Sequence, residues 1–154
     1  ICTPFRRLLE QPAARLAAGS LVEWGLQRAC NAAAHLDYLQ ERGVHVRFWD
    51  ELGPQEATES EQLGAQLSEL AEQHHGLSLS VDLDAFAQSV APGVSAPSPV
   101  GVSASAVVRA AARLGQLACT TQLGIYELNP RFDQDGQTAR LAARLAWSYL
   151  TGCA

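Results

Sequence analysis

The chain has 154 residues, of which 47% are hydrophobic and 18% charged, a balance typical of one globular domain and not of a disordered segment. Its formal net charge of −5 gives no reason to expect nucleic acid or an anionic membrane as a partner. Apolar runs are too short to span a bilayer, and four cysteines without Cys-x-x-Cys spacing favour reduced thiols in a cytoplasmic protein.

Predicted helices and strands alternate in the first half of the chain. Asn31 is expected to cap a helix that ends at Gly43, and Leu63, Leu67 and Leu70 recur at helical spacing. In chain order we expect a loop over 1–5, a helix to 18, a strand over 21–26, a helix over 31–42, a strand over 44–48, an acidic surface loop over 50–59 and a helix over 60–75.

The next stretch, residues 77–84, reads Leu-Ser-Leu-Ser-Val-Asp-Leu-Asp and alternates apolar with small polar residues. This period predicts a strand in which Asp82 and Asp84 share one face, roughly 6 to 7 Å apart. Two carboxylates on one face repel each other unless a cation lies between them, and hard divalent metals prefer such oxygen ligands. Taken alone, the pair is more typical of a strand that ends in a solvated acidic turn, with a metal site as the alternative.

The remaining elements complete a predicted parallel sheet. A loop over 85–101 with three prolines precedes a helix capped by Ser103 and closed by Gly115, a strand over 117–127 and a helix over 138–150. Strands that alternate with helices predict a mainly parallel sheet in a three-layer α/β/α fold. Ligands bind at the carboxyl ends of such strands, where Asp82, Asp84 and Glu127 lie.

These residues carry a family resemblance. Ser80-Val-Asp-Leu-Asp84, followed by Gln88, Pro92-Gly93 and Gly101, resembles the C-terminal signature of the ureohydrolases, the family of arginase, agmatinase and formimidoylglutamase. The resemblance implies an arginase-like fold with a binuclear Mn²⁺ site, in which Asp82 bridges the two metals and Asp84 binds one. Ala87-Gln88 departs from the family, since many members carry Asp-Pro there.

A second element indicates the branch of the family. Gly124-Ile-Tyr-Glu-Leu-Asn-Pro130 resembles the segment whose glutamate accepts hydrogen bonds from the substrate's amidino group, which implies that role for Glu127. A carboxylate pairs well with a planar fork of N–H donors. The continuation to Asp133, the opening Thr3-Pro4-Phe5-Arg6 and the segment Gln27-Arg-Ala-Cys-Asn31 resemble the formimidoylglutamase branch more than arginase or agmatinase.

Membership of that branch implies hydrolysis of N-formimidoyl-L-glutamate to L-glutamate and formamide, a step of histidine degradation, by two-metal activation of water. The substrate has two carboxylates and should need cations or polar groups nearby. Arg28 is the candidate, with Asn31 beside it and Thr3 on the entrance loop.

Two other segments of the family's metal site, Gly-Gly-Asp-His and Asp-Ala-His-x-Asp, do not occur in the chain. Ala33-Ala-His-Leu-Asp37 imitates the second, but on a helix His35 and Asp37 point about 200° apart and cannot converge on one metal. The chain thus has two of the six ligands that the resemblance implies. We expect residues 1–154 to be the C-terminal portion of a single ureohydrolase domain, which alone binds manganese weakly and turns over little.

Alternatives are an agmatinase- or arginase-type amidinohydrolase, or an inactive homologue that serves as a binding or assembly subunit. The complete protein is expected to bind a small-molecule substrate, to hold two manganese ions per subunit and to form a homo-oligomer. The gene sequence before Ile1 discriminates, because two histidine-bearing segments there favour the enzyme and a start codon at Ile1 favours the inactive homologue.

Overall fold

The computed structural model describes residues 3–11, 16, 18–52 and 56–154, which divide into two compact units, Ile1–Leu52 and Gly53–Ala154. The helices are α1 (Thr3–Glu10), α2 (Ala33–Glu41), α3 (Glu56–Gln73), α4 (Ala104–Gly115) and α5 (Gln137–Gly152), and the strands are β1 (Val22–Leu26), β2 (His45–Phe48), β3 (Gly76–Asp82) and β4 (Thr120–Tyr126). In the described part of the chain, no helix is long and apolar enough to cross a bilayer.

The first unit contains a parallel pair of strands joined through α2. Strand β1 pairs with β2 so that Val22 lies opposite His45. The predicted stop of α2 is confirmed: Gly43 adopts a positive φ of 67°, and the N–H of Val44 donates to the carbonyl of Leu39 at 3.0 Å. Glycine takes this left-handed conformation without the steric cost that a Cβ brings, so the chain reverses directly into β2.

Three predictions for the first unit are wrong in detail. Thr3, Pro4 and Phe5 form the first turn of α1 and not a loop, because proline is compatible with a first turn whose N–H groups have no helical partner. The helix ends at Glu10 instead of continuing to residue 18, although residues 12–15 and 17 lie outside the described residues. Asn31 does not cap α2, since its Nδ2 donates to the carbonyl of Gln27 at 2.9 Å and the helix begins after Ala32.

The second unit contains the other parallel pair. Strand β3 pairs with β4 in an unbroken register from Gly76 opposite Thr120 to Asp82 opposite Tyr126. Ser103 caps α4 as predicted, because its hydroxyl accepts a hydrogen bond from the N–H of Ala106 at 3.3 Å. The core of this unit includes Leu63, Leu67 and Leu70 of α3, Val81 and Leu83 at the end of β3, and Ala106, Ala110 and Leu114 of α4.

The acidic stretch before α3 differs from its prediction as a surface loop. Trp49–Glu51 forms a 3-10 turn, and α3 already begins at Glu56. Glu59 is only 7% exposed, and both of its carboxylate oxygens accept from the backbone N–H of Ser103 at 3.1 Å. A partner 44 residues away therefore stabilises a buried carboxylate that local composition places on the surface.

Candidate functional site

The candidate site begins where β3 ends. The strand stops at Asp82, and Leu83–Ala85 forms a 3-10 turn, so the prediction that Asp84 lies on the strand is wrong. The Oδ1 of Asp82 accepts from the backbone N–H of Asp84 at 3.5 Å, and Leu83 between them is fully buried. A turn anchored by a leucine, and not the two-residue period of a strand, brings the two carboxylates together.

The charges of these carboxylates oppose one another. Partial burial raises the pKa of Asp82 to about 6, and repulsion by Asp84 adds to the increase. Burial also raises the pKa of Asp84; a hydrogen bond with Asp82 lowers it, and the negative charge of Glu127 raises it further. Asp84 therefore disfavours the ionised form of Asp82, and Glu127 disfavours that of Asp84.

Glu127 follows β4 at the same edge of the sheet. Because Asp82 pairs with Tyr126, Glu127 is the first residue beyond the paired end of β4. Its φ of 68° lies in the left-handed region, which residues with a Cβ adopt at a cost and keep where the surroundings require it. The structure thus brings together the three carboxylates that the sequence singled out, and leaves Glu127 exposed.

The donor set has the chemistry of a hard-metal site but is incomplete. Carboxylate oxygens are the ligands that Mn²⁺ and Mg²⁺ prefer, so Asp82 and Asp84 fit as part of such a set. Among the described residues, however, no group of three or more His, Cys, Asp or Glu side chains could hold a metal ion. His35 and Asp37 are both exposed on α2, at the i and i+2 positions that diverge on a helix.

The residues predicted to bind substrate carboxylates lie in the first unit. The guanidinium of Arg28 pairs with Asp50 at 3.4 Å and with Glu51, and it stacks at 3.5 Å from the centroid of the Phe48 ring. Its charge is therefore already balanced within this unit. Asn31 contacts the Gln27 carbonyl, whereas the side chain of Thr3 lies outside the described part. Their roles in binding substrate stay predictions.

A cleft of about 460 Å³ lies beside the loop that follows β3. None of the predicted site residues lines it, and it contains no titratable side chain, so we assign the chemistry to the carboxylates instead. The lining residues are Gln88, Ser89, Pro92, Pro99, Gln134 and Gln137.

Sequence analysis missed the contacts that hold the loops around this site. It used the segment after Glu127 to identify a branch of the family, and did not foresee that Asp133 and Thr138 contact the loop after β3. The N–H of Gly93 donates to the hydroxyl of Thr138 at 2.8 Å. No short sequence motif marks this contact, because 45 residues separate the two partners.

Comparison with known proteins places the chain in a family. Residues 1–152 match the model of the arginase family. The chain is 36% identical to a formimidoylglutamase of Aromatoleum aromaticum over 148 residues, which is 94% of this chain and 42% of that protein. It is 33% identical to a formimidoylglutamase of Citrobacter koseri over 153 residues, with 97% and 45% covered. The chain thus spans less than half the length of these curated relatives.

Solved structures of the same family superpose on this chain. Formimidoylglutamase from Bacillus subtilis superposes with a TM-score of 0.87 at 26% identity, covering 97% of this chain and 46% of that one. A Trypanosoma cruzi formiminoglutamase solved with Mn²⁺ gives a TM-score of 0.82 at 25% identity, covering 97% and 48%. These matches confirm the predicted arginase-like α/β fold and the predicted resemblance to formimidoylglutamase. The chain belongs to the arginase family.

Proposed function

We propose that this chain supplies part of the active site of a metal-dependent hydrolase of linear amidines, and that the substrate is N-formimidoyl-L-glutamate. The products are L-glutamate and formamide, as in a step of histidine degradation. The observation that carries the proposal is the register of β3 and β4 together with the turn after β3, which leave Asp82, Asp84 and Glu127 at one edge of a parallel sheet.

In this proposal, Asp82 and Asp84 hold manganese. A cation relieves the repulsion that raises the pKa of both carboxyl groups, so metal binding and the electrostatics of the site favour each other. When bound, manganese supplies the Lewis acidity that makes water nucleophilic at neutral pH. Glu127 accepts N–H donors of the amidino group and orients the carbon that reacts.

Arg28, Asn31 and Thr3 are the proposed contacts of the substrate's carboxylates. Binding through Arg28 requires that a substrate carboxylate replace Asp50 or Glu51 as its partner. Both existing ion pairs are exposed, and exposed pairs contribute about 0.2–1 kcal/mol, so the exchange is energetically accessible.

The remaining ligands have to come from outside the described residues, because two carboxylates do not complete a binuclear site. We therefore propose that residues 1–154 are the C-terminal portion of a single ureohydrolase domain. The complete subunit would bind two manganese ions and assemble as a homo-oligomer.

Metal titration tests the ligand assignment. The wild-type chain is titrated with Mn²⁺ and followed by electron paramagnetic resonance, in parallel with Asp82→Asn, Asp84→Asn and the control Asp37→Asn, which changes an exposed carboxylate on α2. We expect weak binding that each site variant reduces by about tenfold or more and that the control leaves unchanged. Equal affinities in all four proteins would contradict the assignment.

Activity tests the substrate assignment. The protein as encoded is assayed with manganese on formimidoylglutamate, agmatine and arginine side by side, and we expect turnover of formimidoylglutamate to exceed that of the other two. Preference for agmatine or arginine would transfer the proposal to that branch of the family.

A second candidate function is that of an inactive homologue acting as a binding or assembly subunit. The incomplete donor set of the described residues favours it. Absence of turnover on all three substrates, together with equal manganese affinity of Asp82→Asn and Asp37→Asn, would support this function over the hydrolase.

A further inference from the structure

Two loops leave the candidate site, and hydrogen bonds join them. The proline loop (residues 87–101) follows the turn after β3, and the exit loop (residues 127–136) follows β4. The N–H of Asn129 donates to the carbonyl of Gly93 at 2.7 Å, and its Nδ2 donates to the hydroxyl of Ser95 at 3.1 Å. The loop that carries Glu127 is thus attached to the loop that follows Asp84.

Thr138 joins both loops to α5. Its side chain is fully buried at the start of that helix, and its Oγ1 accepts from the N–H of Gly93 at 2.8 Å. The carboxylate of Asp133, in the exit loop, accepts from the backbone N–H of Thr138 at 2.9 Å and of Ala139 at 3.0 Å. Thr138 therefore connects the proline loop through its hydroxyl, and the exit loop through its backbone N–H, to the first turn of the helix.

The backbone of the proline loop lies unusually close to Asp133. A Cβ on residue 93 would come within 2.6 Å of the Cβ of Asp133, a distance that only glycine avoids. Gln137 adds a second attachment, because its Nε2 donates to the carbonyls of Ser89 and Val90 at 2.8 Å. These contacts hold the proline loop against the start of α5.

The attachment lies next to a strained stretch of backbone. Glu127 keeps a left-handed φ of 68° that its surroundings have to maintain. Glu127 lies two residues before Asn129, whose N–H is hydrogen-bonded to the carbonyl of Gly93. Contacts between Gly93, Asn129 and Thr138 therefore hold the exit loop in place next to Glu127.

We propose that Thr138 is a positioning residue, which through Gly93 fixes the separation of Glu127 from the Asp82 and Asp84 pair. The inference rests on the proposed function, since the separation matters for catalysis only if the aspartates hold metal and Glu127 binds the amidine. This positioning role differs from a role in helix stability alone, because the effect of Thr138 extends across the exit loop to Glu127.

Hydrogen exchange tests the attachment itself. Thr138→Val keeps the volume and removes the hydroxyl, Thr138→Ser keeps the hydroxyl, and Thr151→Val is a matched control that removes a hydroxyl bonded to the carbonyl of Trp147 on the same helix. We expect Thr138→Val to speed exchange of the Gly93, Glu127 and Asn129 amides about tenfold, with the other two variants near wild type. Exchange that rises uniformly over the chain, or not at all in the exit loop, would overturn the proposal.

Enzyme kinetics of the full-length gene product distinguishes a positioning role of Thr138 from a role in metal binding. We expect Thr138→Val to raise KM for formimidoylglutamate about tenfold while the Mn²⁺ affinity stays unchanged, and Thr138→Ser to restore KM. An unchanged KM in an active Thr138→Val enzyme would overturn the positioning role and leave the proposed function intact. An inactive wild-type protein would count against the proposed function, and the exchange pattern would then decide the proposal alone.

Should Thr138→Val not fold, Asp133→Asn provides the second variant, because it removes the charge that the backbone N–H groups of Thr138 and Ala139 bind and so loosens the exit loop from the start of α5. The same pattern of exchange in the two loops is expected, and its absence in a folded Asp133→Asn protein overturns the proposal.

Discussion

Asp82 illustrates at the residue scale how a partly buried carboxylate beside a second carboxylate destabilises the folded chain. Its pKa of about 6 in the folded chain exceeds the ordinary value of 3.8, so the folded state binds a proton more tightly than the unfolded chain does. The ionised side chain is therefore a cost to folding at neutral pH. The cost is full above pH 6 and decreases as the pH falls from 6 to 4.

We predict that Asp82→Asn stabilises the metal-free chain at pH 7 by about 1 kcal/mol, a value reduced from the full pKa shift because the group is exposed to solvent. Urea unfolding at pH 7 and pH 4 measures it, and the difference from wild type should vanish at pH 4. Asp37→Asn is the control and should show no such pH dependence. A metal-free Asp82→Asn chain less stable than wild type at pH 7 would contradict the prediction.

The contribution of Asp133 to folding stability changes with pH in the opposite direction from that of Asp82. Burial raises its pKa, but hydrogen bonds from the backbone N–H groups of Thr138 and Ala139 and from the Thr138 hydroxyl outweigh burial and lower the pKa below its ordinary value. The ionised group thus stabilises the fold above the ordinary pKa of 3.8, and this stabilisation is lost as the pH falls through the folded pKa.

We expect Asp133→Asn to speed exchange of the Thr138 and Ala139 amides at pH 7 and to flatten the loss of stability below pH 4. Hydrogen exchange and acid unfolding measure the two effects. Asp135→Asn is the matched control, since Asp135 has a positive φ of 51° that asparagine tolerates as well. Identical acid profiles for wild type and Asp133→Asn would exclude the role of the carboxylate.

At the scale of elements, helices α4 and α5 approach each other through two glycines. A Cβ on Gly115 would lie 2.3 Å from the carbonyl oxygen of Tyr149, and a Cβ on Gly152 would lie 2.2 Å from that of Ala112. Gly64 in α3 differs, because a Cβ there meets nothing within 4 Å. The same substitution should therefore have opposite effects at these positions.

We predict that Gly64→Ala stabilises the chain by about 0.5–1 kcal/mol through higher helix propensity. Gly115→Ala and Gly152→Ala should each destabilise it by about 1–3 kcal/mol, because the helices have to move apart. Thermal or urea unfolding of the three variants measures these changes. Effects of one sign at all three positions would show that packing between α4 and α5 is not the deciding factor.

Local sequence alone was not sufficient to predict where two of the elements begin or end. The strand of residues 76–82 was predictable from its alternating leucines, but its end was not, because the Asp82 side chain bonds to the backbone two residues on and converts the last positions into a turn. The start of α3 was missed for a different reason. Its acidic residues resemble a loop until the distant Ser103 N–H is known to bind Glu59.

At the scale of the whole molecule, the order of helices and strands along the chain predicted more of the fold than any single residue did. A helix of 12 residues between two short strands is typical of a crossover between parallel neighbours, and β3 and β4 do pair in that way. The carboxylate site followed from this topology together with the Asp-Leu-Asp sequence. The contact of Gly93 with Thr138 could not be predicted, because 45 residues separate the two in sequence.

The left-handed backbone of Glu127 implies a conflict between two kinds of selection. Glycine, asparagine or aspartate would occupy that conformation with less strain than glutamate does. In a library of variants passed through a screen for folding alone, position 127 should therefore drift away from glutamate. A screen for amidine turnover should draw it back, since the longer side chain has a reach that the better-suited residues lack.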